Sequence, residues 1–295
     1  MQDDIHAWLI QAGFPEDIEL APLGSGLGST SLWTFRPSPR TAPLVVRVFR
    51  EGATRVADRE YLAMRTAADH GVPVPTVVTR GKVRNRPLLV TTFAEGTPVG
   101  HAIRETPDRA LELGLRMGEA LGRLHTIVAP EGLAAGTAGW IERGGSSLAP
   151  IRHLLLTIPD QDRLLHLDYH PLNVLTDGTD ITAIIDWENT LEGPPPMDLA
   201  RTRAILHVAK VSGQLPEEHR GIIDRLVDGL ERGHASIAGP DPHPELSEVW
   251  ATAMTVDDLA GHLGKPGSWV TSEFLERLAR RRDALIASVT GEHQG

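Results

Sequence analysis

The segment LLHLDYHPLNVL, residues 164–175, places two histidines, an aspartate, a tyrosine and an asparagine between leucine-rich ends. The apolar ends favour two short buried strands, and the polar residues favour a loop that joins them. Three interpretations of this loop are open. The loop is a metal site, because His166, Asp168 and His170 alternate as residues on one face of a strand do; it is a catalytic loop; or it is a polar turn with no further role.

A second stretch close behind it favours the catalytic interpretation. The segment AIIDWEN, residues 183–189, has the pattern of an apolar strand that ends at Asp186. In the preceding loop, Asp168 and Asn173 have the spacing of the base and the metal-binding asparagine of a kinase catalytic loop. Asp186 then stands where the kinase signature has its metal-binding aspartate. Together these residues predict a site for phosphoryl transfer from a nucleotide.

The N-terminal third of the chain predicts short strands around one helix. The segment VADREYLAMRTAADHG, ended by Gly71, predicts the helix. Because the strands do not alternate regularly with helices, we expect an antiparallel sheet of five strands. The predicted strands are IELAPLG at 18–24, SLWTFRP at 31–37, PLVVRVFR at 43–50, VPVPTVV at 72–78 and RPLLVTTF at 86–93.

Helical periodicity dominates the rest of the chain. Thr106 and Pro107 predict the start of a helix, with Thr106 as its N-cap. Residues 129–147, which are rich in Gly, Ala and Ser, predict a loop. Later helices are predicted at 197–212, 217–236, 244–262 and 268–288.

These elements predict an α+β, two-lobed fold. We expect residues 1–96 to form a smaller lobe built on the sheet. Residues 97–295 are expected to form a larger, mainly helical lobe that contains the 164–175 loop.

The composition excludes several classes of function. The chain has 295 residues, a formal net charge of −10 and no cysteine. The acidity disfavours nucleic-acid binding, because phosphate backbones favour a basic surface, and the lack of cysteine excludes disulfides and zinc–thiolate sites. No apolar run is long enough to span a bilayer, and the acidic start MQDDIHAWLI does not resemble a secretory signal. We therefore expect a cytoplasmic protein without nucleic-acid or membrane partners.

Several segments between about residues 20 and 205 together resemble the aminoglycoside phosphotransferase family, a small-molecule branch of the protein-kinase-like fold. The most specific segments are LLHLDYHPLNVL and AIIDWENTLEGPPPMDLA, and PLGSGLGSTSLWTF and LVVRVF add to them. The resemblance implies a kinase-like fold in which residues 1–96 bind the nucleotide, with a hinge at about 92–96, and residues 97–295 carry the catalytic loop and the acceptor site. It also implies ATP (or GTP) with Mg²⁺, and a small acceptor that carries a hydroxyl group. An aminoglycoside or macrolide antibiotic is the leading acceptor class, and its phosphorylation would give resistance.

Other functions stay open beside this one. The family also contains choline, homoserine and fructosamine kinases, so the acceptor is alternatively a metabolite. A kinase-like module that binds nucleotide without turnover is a second alternative, and a zinc-dependent hydrolase is a third. The protein is expected to act as a monomer or a homodimer.

The resemblance also implies roles for single residues. Asp168 matches the catalytic base, and Asn173 and Asp186 match the magnesium ligands. Arg47 stands at the place of the strand-three lysine that contacts the phosphates, and Glu60 matches its helix partner. Further nucleotide contacts are implied for the glycine-rich turn, Gly24, Ser25, Gly26, Gly28 and Ser29, and for the hinge backbone at Thr92 and Ala94.

Some of these assignments have competitors among nearby residues. Arg50 is a second candidate for the phosphate-binding cation, and Asp58 is a second candidate for its acidic partner. Asp198 matches the acid that braces the catalytic loop. His166 is expected to hold that loop, and His170 to face substrate or solvent. Core positions are expected for Trp140, Trp250 and Trp269, and solvated positions for Glu188, Glu192, Asp257 and Asp258 unless a cationic substrate binds them.

Overall fold

The computed structural model describes residues 1–23, 30–133 and 139–291. Its N-terminal strands are β1 (Ala21–Pro22), β2 (Ser31–Phe35), β3 (Leu44–Val48), β4 (Val77–Val83) and β5 (Arg86–Thr92). They form one antiparallel sheet in the order β1-β2-β3-β5-β4, which confirms the predicted five-stranded sheet. In β3, Leu44, Val46 and Val48 are buried, as the period of two along a strand requires.

The sequence predicts one helix beside this sheet, and the structure has a second. The predicted helix is α2 (Thr54–Asp69), and the additional one is α1 (Gln2–Gln11). Ile5 and Leu9 of α1 are fully buried, because residues four positions apart share a helix face. The apolar stripe of α1 is short, and its partner surface comes from β4, more than seventy residues later, so the local pattern alone does not reveal it.

The fourth strand begins later than predicted. Residues 72–78 were expected to be extended, but Pro73 and Pro75 lack the N–H groups that a ladder needs, and β4 starts after them. The strand then continues to a tight turn at Arg84 and Asn85, whose φ values of 44° and 64° lie in the left-handed region.

The C-terminal part is mainly helical. Its helices are α3 (Val99–Glu105), α4 (Ala110–Leu124), α5 (Gly139–Arg143), α6 (Arg152–Leu155), α7 (Pro195–Val211), α8 (Arg220–Ala238), α9 (Pro244–Ala260) and α10 (Ser272–Thr290). Short strands lie between them: β6 (Thr97–Pro98), β7 (Arg163–Leu165), β8 (Val174–Thr176), β9 (Ile181–Ile184) and β10 (Leu191–Gly193). Strands β7 and β8 are the two strands predicted from the ends of the 164–175 segment, and β9 is the predicted apolar strand before Asp186. The lobe boundary at residue 96 stays a prediction.

Two of the predictions for this half need correction. Thr106 does not cap a helix with its side chain; its hydroxyl donates to the carbonyl of Ala102, and a 3-10 turn, Pro107–Arg109, precedes α4. The predicted loop at 129–147 contains α5. The four late helices are confirmed within a few residues, as α7 to α10.

Helices α4 and α8 pack with their backbones in direct contact. Glycines line both helices at the crossing, and a Cβ on Gly118 would lie 2.1 Å from the carbonyl oxygen of Leu230. A Cβ on Gly233 would likewise lie 2.1 Å from the carbonyl oxygen of Leu115. Glycine is required here because any side chain would push the helices apart. Among the helices of the described ranges, none is long and apolar enough to cross a membrane.

Candidate active site

Asp198, in the first turn of α7, binds the backbone of the loop that follows β7. The fully buried carboxylate of Asp198 accepts hydrogen bonds from the backbone N–H groups of His166 (2.6 Å) and Leu167 (2.8 Å). Leu167 has a φ of 59°, an unusual conformation for a residue with a branched side chain, and these two bonds hold it there. Asp198 therefore fixes the loop, as the sequence resemblance implies.

A pair of buried histidines extends this support into the helical core. Nε2 of His125 lies 3.2 Å from Asp198, and its Nδ1 lies 2.8 Å from Nε2 of His234. Burial raises the pKa of Asp198, but the hydrogen bond and charge of His125 and the backbone of His166 together hold it below its usual value. Asp198 is thus a buried anion that is balanced by directed hydrogen bonds. The sequence reasoning missed His234, which lies in α8, far along the chain.

His166 joins the loop to the strand that carries Asp186. Its Nδ1 accepts from the backbone N–H of Asp168 (3.2 Å), and its Nε2 donates to the carbonyl oxygen of Ile185 (3.1 Å). The ring is fully buried and packs against Trp187, with 4.7 Å between ring centroids. Both nitrogens are occupied, so His166 is a structural residue rather than a metal ligand. In the described ranges, no group of three or more His, Asp or Glu side chains is arranged to hold a metal ion.

Asp168 extends from this loop into an open cleft. Its side chain is 23% exposed, and the amide of Asn173 donates both to its backbone oxygen (3.1 Å) and to its Oδ2 (3.2 Å). The other carboxylate oxygen lies 3.7 Å from Nε2 of His170. Burial lowers the pKa of His170, although the charge of Asp168 opposes the shift. His170 therefore faces Asp168, whereas the sequence predicted that it faces substrate or solvent.

Asn173 and Asp186 are brought side by side by the pairing of β8 with β9. The backbone N–H of Ile185 donates to the carbonyl oxygen of Asn173 (2.9 Å). Asp186 follows directly, with a φ of 64° and a side chain that is 42% exposed. Carboxylate and amide oxygens are the ligands that Mg²⁺ takes in nucleotide sites, with phosphate oxygens and water completing the shell. The donor set of these two residues therefore fits Mg²⁺.

Arg47 of β3 lies at the centre of a group of carboxylates. Its Nη1 donates to Glu60 (3.2 Å), and its Nη2 donates to Asp186 (2.9 Å) and Glu188 (2.8 Å). Burial raises the pKa of Glu60 to about 7, although Arg47 opposes the shift. Glu188, which the sequence placed in solvent, belongs to this group. We call these four residues the Arg47 cluster.

The competitors named from the sequence lie elsewhere. Arg50 is exposed and lies beyond the end of β3, and Asp58 forms an exposed ion pair with Arg80 (3.0 Å). At the hinge, the N–H of Thr92 donates to the carbonyl of Thr76 (2.9 Å), so this N–H is not free for a nucleotide edge. Ala94 is half-buried just after β5. The residues named for the phosphate turn, Gly24, Ser25, Gly26, Gly28 and Ser29, lie outside the described residues.

A cavity of about 720 Å³ opens directly beside Asp168. Asp168, His170 and Leu172 of the loop form one wall, and residues from α3, α7, α8 and the segment between α9 and α10 form the others. Arg201 and Trp269 line it as well. No motif in the sequence pointed to Arg201, and Trp269 was predicted to lie in the core. Trp140 and Trp250 are buried, as predicted. Of the acidic residues considered for substrate contact, Asp258 lines the cavity, whereas Glu192 and Asp257 are outside the described lining.

Comparisons with solved structures agree with this fold. The chain superimposes on aminoglycoside phosphotransferase APH(4)-Ia with a TM-score of 0.66 and 17% identity, over 98% of this chain and 99% of that one. It superimposes on aminoglycoside-3'-phosphotransferase of type VIII with a TM-score of 0.53 and 20% identity, over 97% and 98%. For macrolide 2'-phosphotransferase MphH from Brachybacterium faecium the TM-score is 0.52 and the identity 16%, over 97% of each chain. At such identities the likeness shows the kinase-like fold.

The comparison by sequence identifies the family. A search of curated proteins gives no match. The model of the phosphotransferase enzyme family (APH), however, matches residues 19–240, which is most of the chain and contains the catalytic loop, Asp186 and the Arg47 cluster. The chain therefore belongs to the phosphotransferase enzyme family, and the protein is a small-molecule kinase.

Proposed function

We propose that the protein transfers the γ-phosphate of ATP (or GTP), with Mg²⁺, to a hydroxyl group of a small molecule bound in the cavity beside Asp168. The observation that carries the proposal is the position of Asp168 between two different environments. On one side Asn173, which donates to it, adjoins Asp186 and the Arg47 cluster. On the other side Asp168 lines the cavity. A base at this junction can reach a hydroxyl that enters from the cavity while a phosphate lies over the carboxylates.

The nucleotide side has the charges that phosphates need. Asn173 and Asp186 would hold the Mg²⁺ ion, which neutralises phosphate charge when it is bound. Arg47 supplies a guanidinium for the phosphates, and Glu60 orients it from α2. The hinge carbonyl of Thr92 and the amide of Ala94 would meet the edge of the base. Nucleotide use is further supported by a solved structure of a thermostable APH(4)-Ia mutant, which is a ternary complex with AMP-PNP and hygromycin B.

In the transfer step, the acceptor oxygen bonds to the γ-phosphorus as the bond from that phosphorus to the β,γ-bridging oxygen breaks. The hydroxyl proton goes to the carboxylate of Asp168. Asn173 holds that carboxylate in place, and His166 and Asp198 fix the loop on which it stands. The contribution of the protein is positioning and charge neutralisation, which is the usual basis of phosphoryl transfer.

For the acceptor, the leading class is an aminoglycoside or macrolide antibiotic, whose modification would confer resistance. The support is that solved structures of this fold include aminoglycoside and macrolide phosphotransferases. A choline-, homoserine- or sugar-type metabolite is the alternative acceptor. That the enzyme works in the cytoplasm, as a monomer or homodimer, stays a prediction.

The test is acceptor-dependent release of ADP. Purified protein is mixed with Mg–ATP and a panel of antibiotics and metabolite alcohols, and ADP is measured together with the phosphorylated product. Asp168→Asn should lower the rate by about a thousandfold, because it removes the base, while the affinity for ATP stays close to that of the wild type. The matched control is Asp162→Asn, an exposed aspartate six residues earlier in the chain, which should keep full activity. Full activity of Asp168→Asn would overturn the mechanism, and ATP binding without release for any acceptor would favour a non-catalytic module.

A further inference from the structure

The cavity beside Asp168 has mainly apolar walls. Its volume of about 720 Å³ lies in the range of sites for drug-sized ligands. Apolar side chains come from α3, α7 and α8 and from the segment between α7 and α8, so they line the cavity on several sides. They include Ile103, Ile205, Leu206, Leu215, Ile222 and Leu226.

The charges in the cavity are few and do not suit a polycation. Its described lining has two carboxylates, Asp168 and Asp258. Asp168 is the proposed base, and Asp258 accepts a short hydrogen bond from Arg201, a largely buried residue of the same lining. Arg104 adds a second guanidinium. The chain as a whole has 39 acidic and 29 basic residues, so this cavity is poor in free carboxylates on an otherwise acidic protein.

An exposed leucine stands at the point where an acceptor would meet the base. Leu172 lies in the catalytic loop, lines the cavity and is 52% exposed. Leu172 packs against Gly100 of α3. A Cβ added to Gly100 would lie 2.9 Å from Leu172 Cδ2, so a side chain there would displace the leucine. Across the cavity, the half-buried ring of Trp269 adds a flat apolar surface. Contact between these apolar groups and water is unfavourable, and a ligand that covers them gains binding free energy from the apolar surface removed from water.

From this chemistry we infer that the acceptor is a bulky, mainly apolar alcohol that carries at most one cationic group. The inference rests on the proposed function, because it takes the cavity beside Asp168 as the acceptor site. A polycation would lose the hydration of its ammonium groups and find no free carboxylate in return. A small polar alcohol would leave most of the apolar wall in contact with water.

The first experiment compares three classes of alcohol by binding and by turnover. The probes are a macrolide and a hydroxysteroid as bulky apolar alcohols, hygromycin B and kanamycin as polycations, and choline and homoserine as small polar alcohols. Binding to the full chain with Mg–AMP-PNP is measured by calorimetry, and ADP release is measured with Mg–ATP. At least one bulky apolar alcohol should bind at least tenfold more tightly than every probe of the other classes and should stimulate ADP release most.

Measuring both binding and ADP release distinguishes failure of the inference from failure of the proposed function. Tight binding of an apolar alcohol without ADP release would support the inference and overturn the proposed function. ADP release that is greatest with a polycation or a small polar alcohol would support the function and overturn the inference. Failure of both bulky apolar alcohols to bind would also overturn the inference.

The second experiment places a charge on the apolar wall. Leu172→Asp should raise the KM for the apolar acceptor about tenfold, the loss expected when one leucine contact is removed, with the KM for ATP unchanged. Its matched control is Leu156→Asp, because Leu156 is 55% exposed and lies outside the described lining. Both changes are at exposed sites, so both variants should fold. An unchanged acceptor KM in Leu172→Asp would overturn the inference.

Discussion

Arg47 donates a hydrogen bond of 2.9 Å from its Nη2 to Oδ1 of Asp186, which lies 139 positions later in the chain. The bond joins the cation of the sheet to the carboxylate that is proposed to hold Mg²⁺. The same guanidinium also binds Glu60 and Glu188. Because phosphates favour the same guanidinium, a nucleotide bound as proposed would share this cation with the three carboxylates.

Arg47→Lys should raise the KM for ATP about tenfold or more. A lysine ammonium is a point charge and does not reproduce the planar fork that reaches several carboxylates at once, and loss of one charge-assisted hydrogen bond is worth about 1.5–3 kcal/mol. Steady-state kinetics at varied ATP and saturating acceptor measure the effect. Arg50→Lys is the control, since Arg50 is exposed and outside the cluster. A loss in Arg50→Lys with none in Arg47→Lys would reverse the assignment of the phosphate-binding cation.

Asp198→Asn should lower both stability and turnover. An amide has one acceptor oxygen, and its NH₂ would point at backbone N–H groups that now bind a carboxylate. We expect a loss of about 3 kcal/mol in the free energy of unfolding, measured in urea, as for other broken buried charge networks. kcat should fall while the affinity for ATP is kept. Asp228→Asn, an exposed aspartate paired with Arg232 on α8, should change stability by less than about 0.5 kcal/mol; an equal effect of both variants would contradict the bracing role.

Gly233→Ala should destabilise the protein because it adds a methyl group at the crossing of α4 and α8. The new Cβ would lie 2.1 Å from the carbonyl oxygen of Leu115, and neither backbone can move without separating the helices. We expect a loss of about 3 kcal/mol, at the upper end for overpacking. Gly221→Ala is the matched control in the same helix, because a Cβ there would meet only the end of the flexible Arg225 side chain, 3.9 Å away. Gly221→Ala should gain stability by about 0.5 kcal/mol through helix propensity. A loss of stability in Gly221→Ala would show that the helix crossing is not the cause of the loss in Gly233→Ala.

The buried His234 should make stability depend on pH. Burial and the neighbouring His125 lower the pKa of His234 to about 3, whereas an unfolded histidine titrates near its ordinary value of about 6.5. Between these values the unfolded chain binds more protons than the native protein, so stability falls as the pH falls below about 6.5. From pH 7.5 to pH 5, His234 alone should account for a loss of about 2 kcal/mol.

The measurement is urea unfolding of wild type and His234→Asn at the two pH values. The remaining titratable groups are shared, so the difference between the two pH dependences isolates this histidine. The wild type should lose about 2 kcal/mol more than His234→Asn on acidification. His153→Asn, at an exposed position, should keep the wild-type pH dependence. Equal pH dependences for wild type and His234→Asn would contradict the assignment.

Local patterns predicted much of the fold correctly. The alternation in β3 and the helical spacing of α7 to α10 are properties of short windows, and the structure has these elements where they were predicted. The failures have physical causes in particular residues. The stripe of α1 is completed only by the sheet against which Ile5 and Leu9 pack. Strand β4 starts later than its apolar spacing predicts because Pro73 and Pro75 lack the N–H groups that a ladder needs.

By itself, the sequence determined the order of the elements, the kinase-like family and the candidate roles of Asp168, Asn173 and Asp186, because each depends on residue type and spacing along a short stretch. Only the tertiary structure decided that Glu188 joins Arg47, that His234 supports Asp198 and that an apolar cavity lies beside the proposed base. These relationships bring together residues that are far apart in the chain. They follow from how helices and sheet pack against one another, which no local periodicity encodes.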